Sequence, residues 1–224
     1  MSGRHYTRLA ARIVIVGVST RAAAESAARA GFEVTAIDAF ADLGQHPGVR
    51  SLSLPRDFGS AVSAGAAARA ARTIDCDAVV YLSNLDNHPG AVTALAEGRT
   101  LWGNAPAALR RVRAPRLLTE ALRRRGMAAP VILTAETAET AAKSCKNSRD
   151  RRWLVKPLAS GGGRRVRPWT ASARVPRGCY LQEFVEGTPA SVVFVAAGGR
   201  AVPLGVSRQL IGEPAFGADG YRYC

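Results

Sequence analysis

The sequence predicts an α/β protein, a Rossmann-like layer followed by an α+β region. Three observations carry this. Residues 12–18, Arg-Ile-Val-Ile-Val-Gly-Val, form a continuous β-branched run, as expected of a strand buried on both faces of a parallel sheet. A helix-forming stretch and a second apolar run ending at Asp38 follow, which makes a βαβ unit. Beyond residue 113 the pattern changes to short strands set between glycine and proline turns, and residues 191–208 read as an antiparallel hairpin across Gly198-Gly199.

In chain order, Ser19 and Thr20 are candidate caps for a helix over 21–30, which Gly31 closes. Phe32–Ile37 is the second strand. A strand, a glycine, a helix and an acid some twenty residues on resemble a dinucleotide site. The glycine fingerprint is missing, however: after Gly17 come Val18, Ser19, Thr20 and Arg21. Residues 44–60 are punctuated by Gly, Pro and Ser around one short apolar segment, Val49–Leu54. An alanine-rich helix covers 60–72, and Ala78–Leu82 is a buried strand. The polar loop Ser83–Gly90 lies at that strand's C-terminal end, where open α/β sheets line ligand crevices, and it is the candidate near wall of a substrate site. His88 within it reads as a loop histidine. Helices over 91–98 and 106–112 flank a short strand at 101–104.

A domain boundary is placed near 113. Pro115–Arg125 is a basic helix closed by Gly126, 128–133 a turn and strand, and Thr134 a helix start, with 144–152 a polar connection. Then comes the most informative stretch, Trp153-Leu154-Val155-Lys156-Pro157-Leu158-Ala159-Ser160-Gly161-Gly162-Gly163. It is a short strand ending in lysine, followed by three glycines. Without Cβ atoms the loop backbone can approach an anion and turn its N–H groups inward. A lysine beside it supplies a compact positive charge, which suits a polyphosphate. Residues 168–178 are irregular, and Cys179–Gly187 is a strand running into a glycine.

Composition narrows the function. Hydrophobic residues make up 47% and charged residues 21% of the 224 positions, as in core-forming globular chains. A net charge of +14 invites a nucleic-acid reading. The arginines are scattered, densest at 110–116 and 123–125, and no zinc-finger spacing or aromatic RNA-binding strand motif accompanies them. Nucleic acid is therefore not the expected partner. Only three of the 31 basic residues are lysines, Lys143, Lys146 and Lys156, so a lysine at the glycine loop stands out. The four cysteines, Cys76, Cys145, Cys179 and Cys224, show no metal-ligand spacing and read as free thiols. The apolar run 13–18 is too short for a signal-peptide core, and no stretch has the length of a membrane span. A cytoplasmic protein is expected.

The order strand-Lys-Pro, triple glycine, strand-Gln-Glu-Phe-Val-Glu-Gly and hairpin, after a βα layer, resembles the ATP-grasp superfamily, which includes biotin carboxylase and D-alanine–D-alanine ligase. The likeness spans the chain in outline and is most specific over 153–163 and 180–187. It implies a pre-ATP-grasp domain over 1–112, a small lobe with glycine loop and hinge over 113–185, and the start of an incomplete second lobe over 186–224. It also implies ATP as the ligand. Lys156 would bind its α and β phosphates, and Ser160, Gly161, Gly162 and Gly163 would cover them. Gln182, Glu183, Phe184 and Val185 would form the adenine hinge. There the Glu183 carbonyl would accept from the adenine amino group and the Val185 N–H would donate to a ring nitrogen.

Three departures temper the likeness. The linker lysine many members carry is replaced by Arg113-Ala114-Pro115-Arg116, so an arginine has to serve. The ribose-binding acid is replaced by Pro189. Past Gly187 the only acids are Glu213 and Asp219, with no Glu-x-Asn pair, so the magnesium ligands of the family are not seen. No metal-binding and no catalytic residue is assigned. The expectation is a truncated ATP-dependent ligase that, complete, activates a small-molecule carboxylate as an acyl phosphate. The alternatives are a non-catalytic nucleotide-binding remnant or a basic nucleic-acid-binding α/β protein. Self-association is left open.

Overall fold

The computed structural model describes residues 10–134, 152–170 and 173–222. The helix expected from Thr134, most of the 144–152 connection, Cys145 and Cys224 fall outside them. The chain divides into two compact units, Met1–Val112 and Arg113–Cys224.

The first unit is organised by five parallel strands in the order β3-β2-β1-β4-β5. These are β1 (Arg12–Val16), β2 (Glu33–Asp38), β3 (Val49–Ser53), β4 (Ala78–Tyr81) and β5 (Thr100–Leu101). Successive side chains of a strand point to opposite faces, and β1 feeds both. Ile13 and Ile15 pack with Val34, Ala36 and Ala24 of helix α1 (Arg21–Arg29). Val14 and Val16 pack on the other face with α3 (Ala64–Arg72) and α4 (Pro89–Ala96). α3 buries Ala66, Ala67, Ala68, Ala70 and Ala71. Its Ser63 hydroxyl accepts from the Ala66 N–H at 3.1 Å, satisfying one of the helix's open donors. α5 (Pro106–Val112) closes the unit and buries Leu109.

Several boundaries differ from the sequence reading. The segment around 49–54 is a full edge strand, β3, followed by a one-turn helix, α2 (Leu54–Phe58), that was not expected. Pro55 looks like a breaker but sits in a first turn, where its missing N–H costs nothing. For the same reason α4 begins at Pro89, two residues before the expected start. Thr20 stands at the cap position of α1, yet its hydroxyl caps no backbone N–H and donates instead to Asp38.

The second unit begins with α6 (Pro115–Arg123). A four-stranded sheet follows in the order β6-β9-β7-β8, from β6 (Ile132–Leu133), β7 (Trp153–Pro157), β8 (Arg167–Pro168) and β9 (Cys179–Glu183). Every pairing in it is antiparallel. Trp153, Val155 and Leu181 form its buried centre. β10 (Ala190–Ala197) and β11 (Arg200–Arg208) make a separate two-stranded hairpin. Gly198 and Gly199 turn it with φ of 56° and 75°, the pair of positive values a tight hairpin turn requires. A bulge falls between Val193 and Phe194, and Pro203, which cannot donate to the ladder, pairs beside it.

Candidate nucleotide site

Antiparallel pairing of β7 and β9 builds the centre of the site. Lys156 lies opposite Tyr180, and Leu154 opposite Gln182. Lys156 and Gln182 are thus diagonal neighbours on one face, and the ammonium donates to Gln182 Oε1 at 3.1 Å. Lys156 is half-buried, and burial pushes its ammonium below the ordinary lysine value. A partly desolvated cation gains from any anion placed beside it. Burial also holds the Tyr180 phenol above its ordinary value, against a smaller opposing pull from the positive charge of Arg113.

The glycine loop leaves β7 beside this pair. Leu158 N–H donates to Gly178 O at 2.8 Å, and the turn is closed by Arg164 N–H on Gly161 O at 3.2 Å and Val166 N–H on Gly163 O at 3.1 Å. The Ser160 hydroxyl donates to Arg164 O at 2.7 Å, and its carbonyl accepts from the Arg113 guanidinium at 2.7 Å. Ser160 therefore ties the loop shut with both of its polar ends. Gly162 and Gly163 have φ of 61° and 70°. Among the described residues no acceptor takes the N–H of Gly161, Gly162 or Gly163. Three consecutive backbone donors of this kind, following in the chain on a strand that ends with a partly desolvated ammonium, are chemically suited to an anion.

The segment expected to form the hinge is anchored by its own neighbours. Glu183 N–H donates to Val131 O at 2.9 Å, and its carboxylate accepts from Val131 N–H at 3.0 Å, so Glu183 grips the strand segment entering β6. Phe184 N–H donates to Arg152 O at 2.8 Å, and the Arg152 guanidinium lies 4.2 Å from the centre of the Phe184 ring. Arg152 also pairs with Glu186. Val185 is 63% exposed. Lys156 and Gln182 are joined directly, whereas Ser160–Gly163 follow from the strand's end and Glu183–Val185 from its partner. The contact of Arg113 with the loop could not be read locally, because it joins residues 47 apart.

In the first unit, the loops after β1 and β4 lie side by side at the carboxyl ends of the strands, where the strand order reverses. Val18 N–H donates to Ser83 O at 3.0 Å, and a Cβ on Gly17 would stand 3.0 Å from Leu82 Cβ. Ser83–Gly90 therefore occupies the switch-point position. Asp38 is only 2% exposed and is fully engaged. Its carboxylate accepts from Thr20 N–H (3.0 Å), Thr20 Oγ1 (2.7 Å), Phe40 N–H (2.9 Å) and Ala41 N–H (2.8 Å). Burial pushes the carboxyl up. The donors from Ala41, Thr20 and Phe40 outweigh it and hold the group below the usual carboxylate value. The acid that a dinucleotide fold would offer to a ribose is consumed here in holding two loops.

Among the described residues magnesium finds no fitting set of ligands. Among the described residues no three His, Cys, Asp or Glu side chains cluster, and Asp219 is paired with Arg222 at 3.0 Å.

The family profile of the ATP-grasp domain matches residues 115–224. This half of the chain is an ATP-grasp domain. The sheet and loop architecture is shared with solved structures over most of the chain. An L-amino acid ligase from Bacillus licheniformis superposes with a TM-score of 0.60 at 18% identity, over 91% of this chain and 51% of that one. N5-carboxyaminoimidazole synthetase from Staphylococcus aureus, complexed with ADP, gives 0.63 at 15%, over 89% and 54%. Pyruvate carboxylase from Rhizobium etli gives 0.66 at 18%, over 89% and 20%. At these identities the likeness is one of fold. The chain spans about half the length of the ligase and the synthetase. No curated protein matches the sequence. Among the described residues no helix is long and apolar enough to cross a membrane. These comparisons lend no support to the nucleotide-binding remnant or to the nucleic-acid binder.

Proposed function

We propose that the chain binds ATP on the β7–loop–β9 surface as part of an ATP-dependent ligase that activates a small-molecule carboxylate as an acyl phosphate for attack by an amine. The observation that carries this is the half-buried Lys156 on β7, followed in the chain by three consecutive glycines whose N–H groups have no protein acceptor among the described residues. On this reading Lys156 holds the α and β phosphates, and Ser160–Gly163 cover them. Gln182 orients the lysine through its 3.1 Å hydrogen bond. The Glu183 carbonyl accepts from the adenine amino group, the Val185 N–H donates to a ring nitrogen, and Phe184 and Val185 wall the base. Residues 113–185 form the small lobe, and 186–224 open the second. The groups position the nucleotide and neutralise its charge; none forms a covalent bond to it.

ATP at millimolar concentration should raise the melting temperature of the chain. Lys156→Ala should remove most of that shift, because a charged hydrogen-bond partner contributes about 1.5–3 kcal/mol, roughly tenfold to a hundredfold in affinity. An ATP response that is absent, or identical in Lys156→Ala, would sink the reading.

A further inference from the structure

The glycine loop is held from two directions. On one flank the Arg113 guanidinium donates to the Ser160 carbonyl at 2.7 Å. On the other, the backbone of residues 221–222 is pressed against Gly163. A Cβ built on Gly163 would lie 1.7 Å from the Tyr221 carbonyl oxygen, 2.6 Å from its carbon and 3.2 Å from Arg222 Cα. Backbone against backbone cannot yield as a flexible side chain can, so only glycine fits. Gly162, next door, has nearly the same positive φ, yet a Cβ there would meet no atom of the described residues within 4 Å. The two glycines thus serve different needs, one conformation alone and the other conformation with close approach.

The segment that presses on Gly163 is a closed unit. Gly212 N–H donates to Arg222 O at 2.9 Å, drawing the ends of 212–222 together. Inside it, Gly217 N–H donates to Pro214 O at 3.0 Å and Arg222 N–H to Asp219 O at 3.0 Å. The Arg222–Asp219 ion pair adds a side-chain tie at 3.0 Å, and Ala218 is 4% exposed. A loop of this length with joined ends and internal packing behaves as one body.

Neither contact uses the N–H groups of Gly161–Gly163. The fastening takes the Ser160 carbonyl and the α-carbon side of Gly163, and leaves the donors open. We propose that 212–222 is a strap that, with Arg113, holds the glycine loop in its phosphate-ready shape, and that Gly163 is the seat on which the strap rests. Gly163 and Arg113 are then positioning residues for the phosphate end of the nucleotide. This rests on the ATP reading above and adds what keeps its loop in order. A preformed loop binds more tightly because less ordering remains to be done on binding.

The test measures ATP and adenosine binding by calorimetry, and amide hydrogen exchange of Gly161–Gly163 by NMR, in the parent chain, Gly163→Ala, Gly162→Ala and Asp219→Ala. Gly162→Ala carries the same backbone strain without the clash. Gly163→Ala should bind ATP at least about tenfold more weakly than Gly162→Ala, while adenosine, which has no phosphates, binds all variants alike. Asp219→Ala, which loosens the strap without touching the loop, should speed exchange of the three amides. Equal ATP affinity in the two glycine variants overturns the strap. Should Gly163→Ala not fold, unchanged exchange in Asp219→Ala overturns it. A parent chain that binds neither ATP nor adenosine refutes the nucleotide reading instead, and exchange alone then decides the strap.

Discussion

Two runs of this chain look alike in sequence and end in opposite surroundings. Ile13-Val14-Ile15-Val16 is at most 3% exposed at every position. Val192, Val193, Phe194 and Val195 are 51%, 60%, 56% and 60% exposed. Both are β-branched or aromatic, and both form strands. The difference is what covers them. β1 sits in the middle of five parallel strands whose connections place helices on both faces, so each side chain meets an apolar partner. β10 has a single hydrogen-bonded partner, β11, and no helix among the described residues packs on either face. Apolarity makes a strand, but the connection decides whether that strand is covered.

The sharpest way to break the contrast is to shorten the same kind of side chain in both places. Ile15→Ala should cost about 2–5 kcal/mol, because the lost transfer energy is joined by a cavity that a helix-covered sheet cannot collapse; urea denaturation measures it. Asp38→Asn ranks next. It leaves at least one of four donors without its charged acceptor, for about 1–3 kcal/mol. Because the carboxyl is held below its usual value, its contribution is present above the unfolded value of about 3.9 and is lost as pH falls through the lower folded one. The gap between parent and Asp38→Asn should thus be constant from neutral pH to about pH 5 and close as pH drops further. Val193→Ser on the hairpin should change stability by less than about 0.5 kcal/mol. A loss comparable to that of Ile15→Ala would mean that β10 is covered in solution.

Much of the first unit was legible because its signals are local. The β-branched run of β1, the alanines of α3 and the positive-φ Gly31 each announce themselves within a few residues. α2 escaped because Leu54-Pro55-Arg56-Asp57 reads as punctuation, and only the tertiary setting turns Pro55 into a first-turn residue. In the candidate site, Lys156 and its glycines stand out in the sequence for the same local reasons. Gln182 was placed in the hinge, but its bond to Lys156 depends on β7–β9 register, which no short window encodes. The grip of Arg113 on Ser160 and the press of Tyr221 on Gly163 are more distant still, spanning 47 residues in one case and 58 in the other. Asp38 was legible as an acid at a strand's end. Its employment by Thr20, Phe40 and Ala41 was not, since three weak backbone preferences had to converge on one carboxylate.

The five buried alanines of α3 carry a consequence for how this protein can drift over generations. Large cores tolerate trimming poorly but often accept exchange among leucine, isoleucine and methionine. A helix seated on a sheet through alanines has no such exchange to offer. Each added methylene at Ala67 or Ala71 must crowd a cluster that already holds Val14, Val16 and Val79, and overfilling of this kind costs about 1–3 kcal/mol. The permitted alphabet at these sites shrinks to alanine, glycine and serine, two of which weaken the helix itself. Variation in this half of the chain should therefore gather on the exposed faces of its helices and leave α3's inner face unchanged.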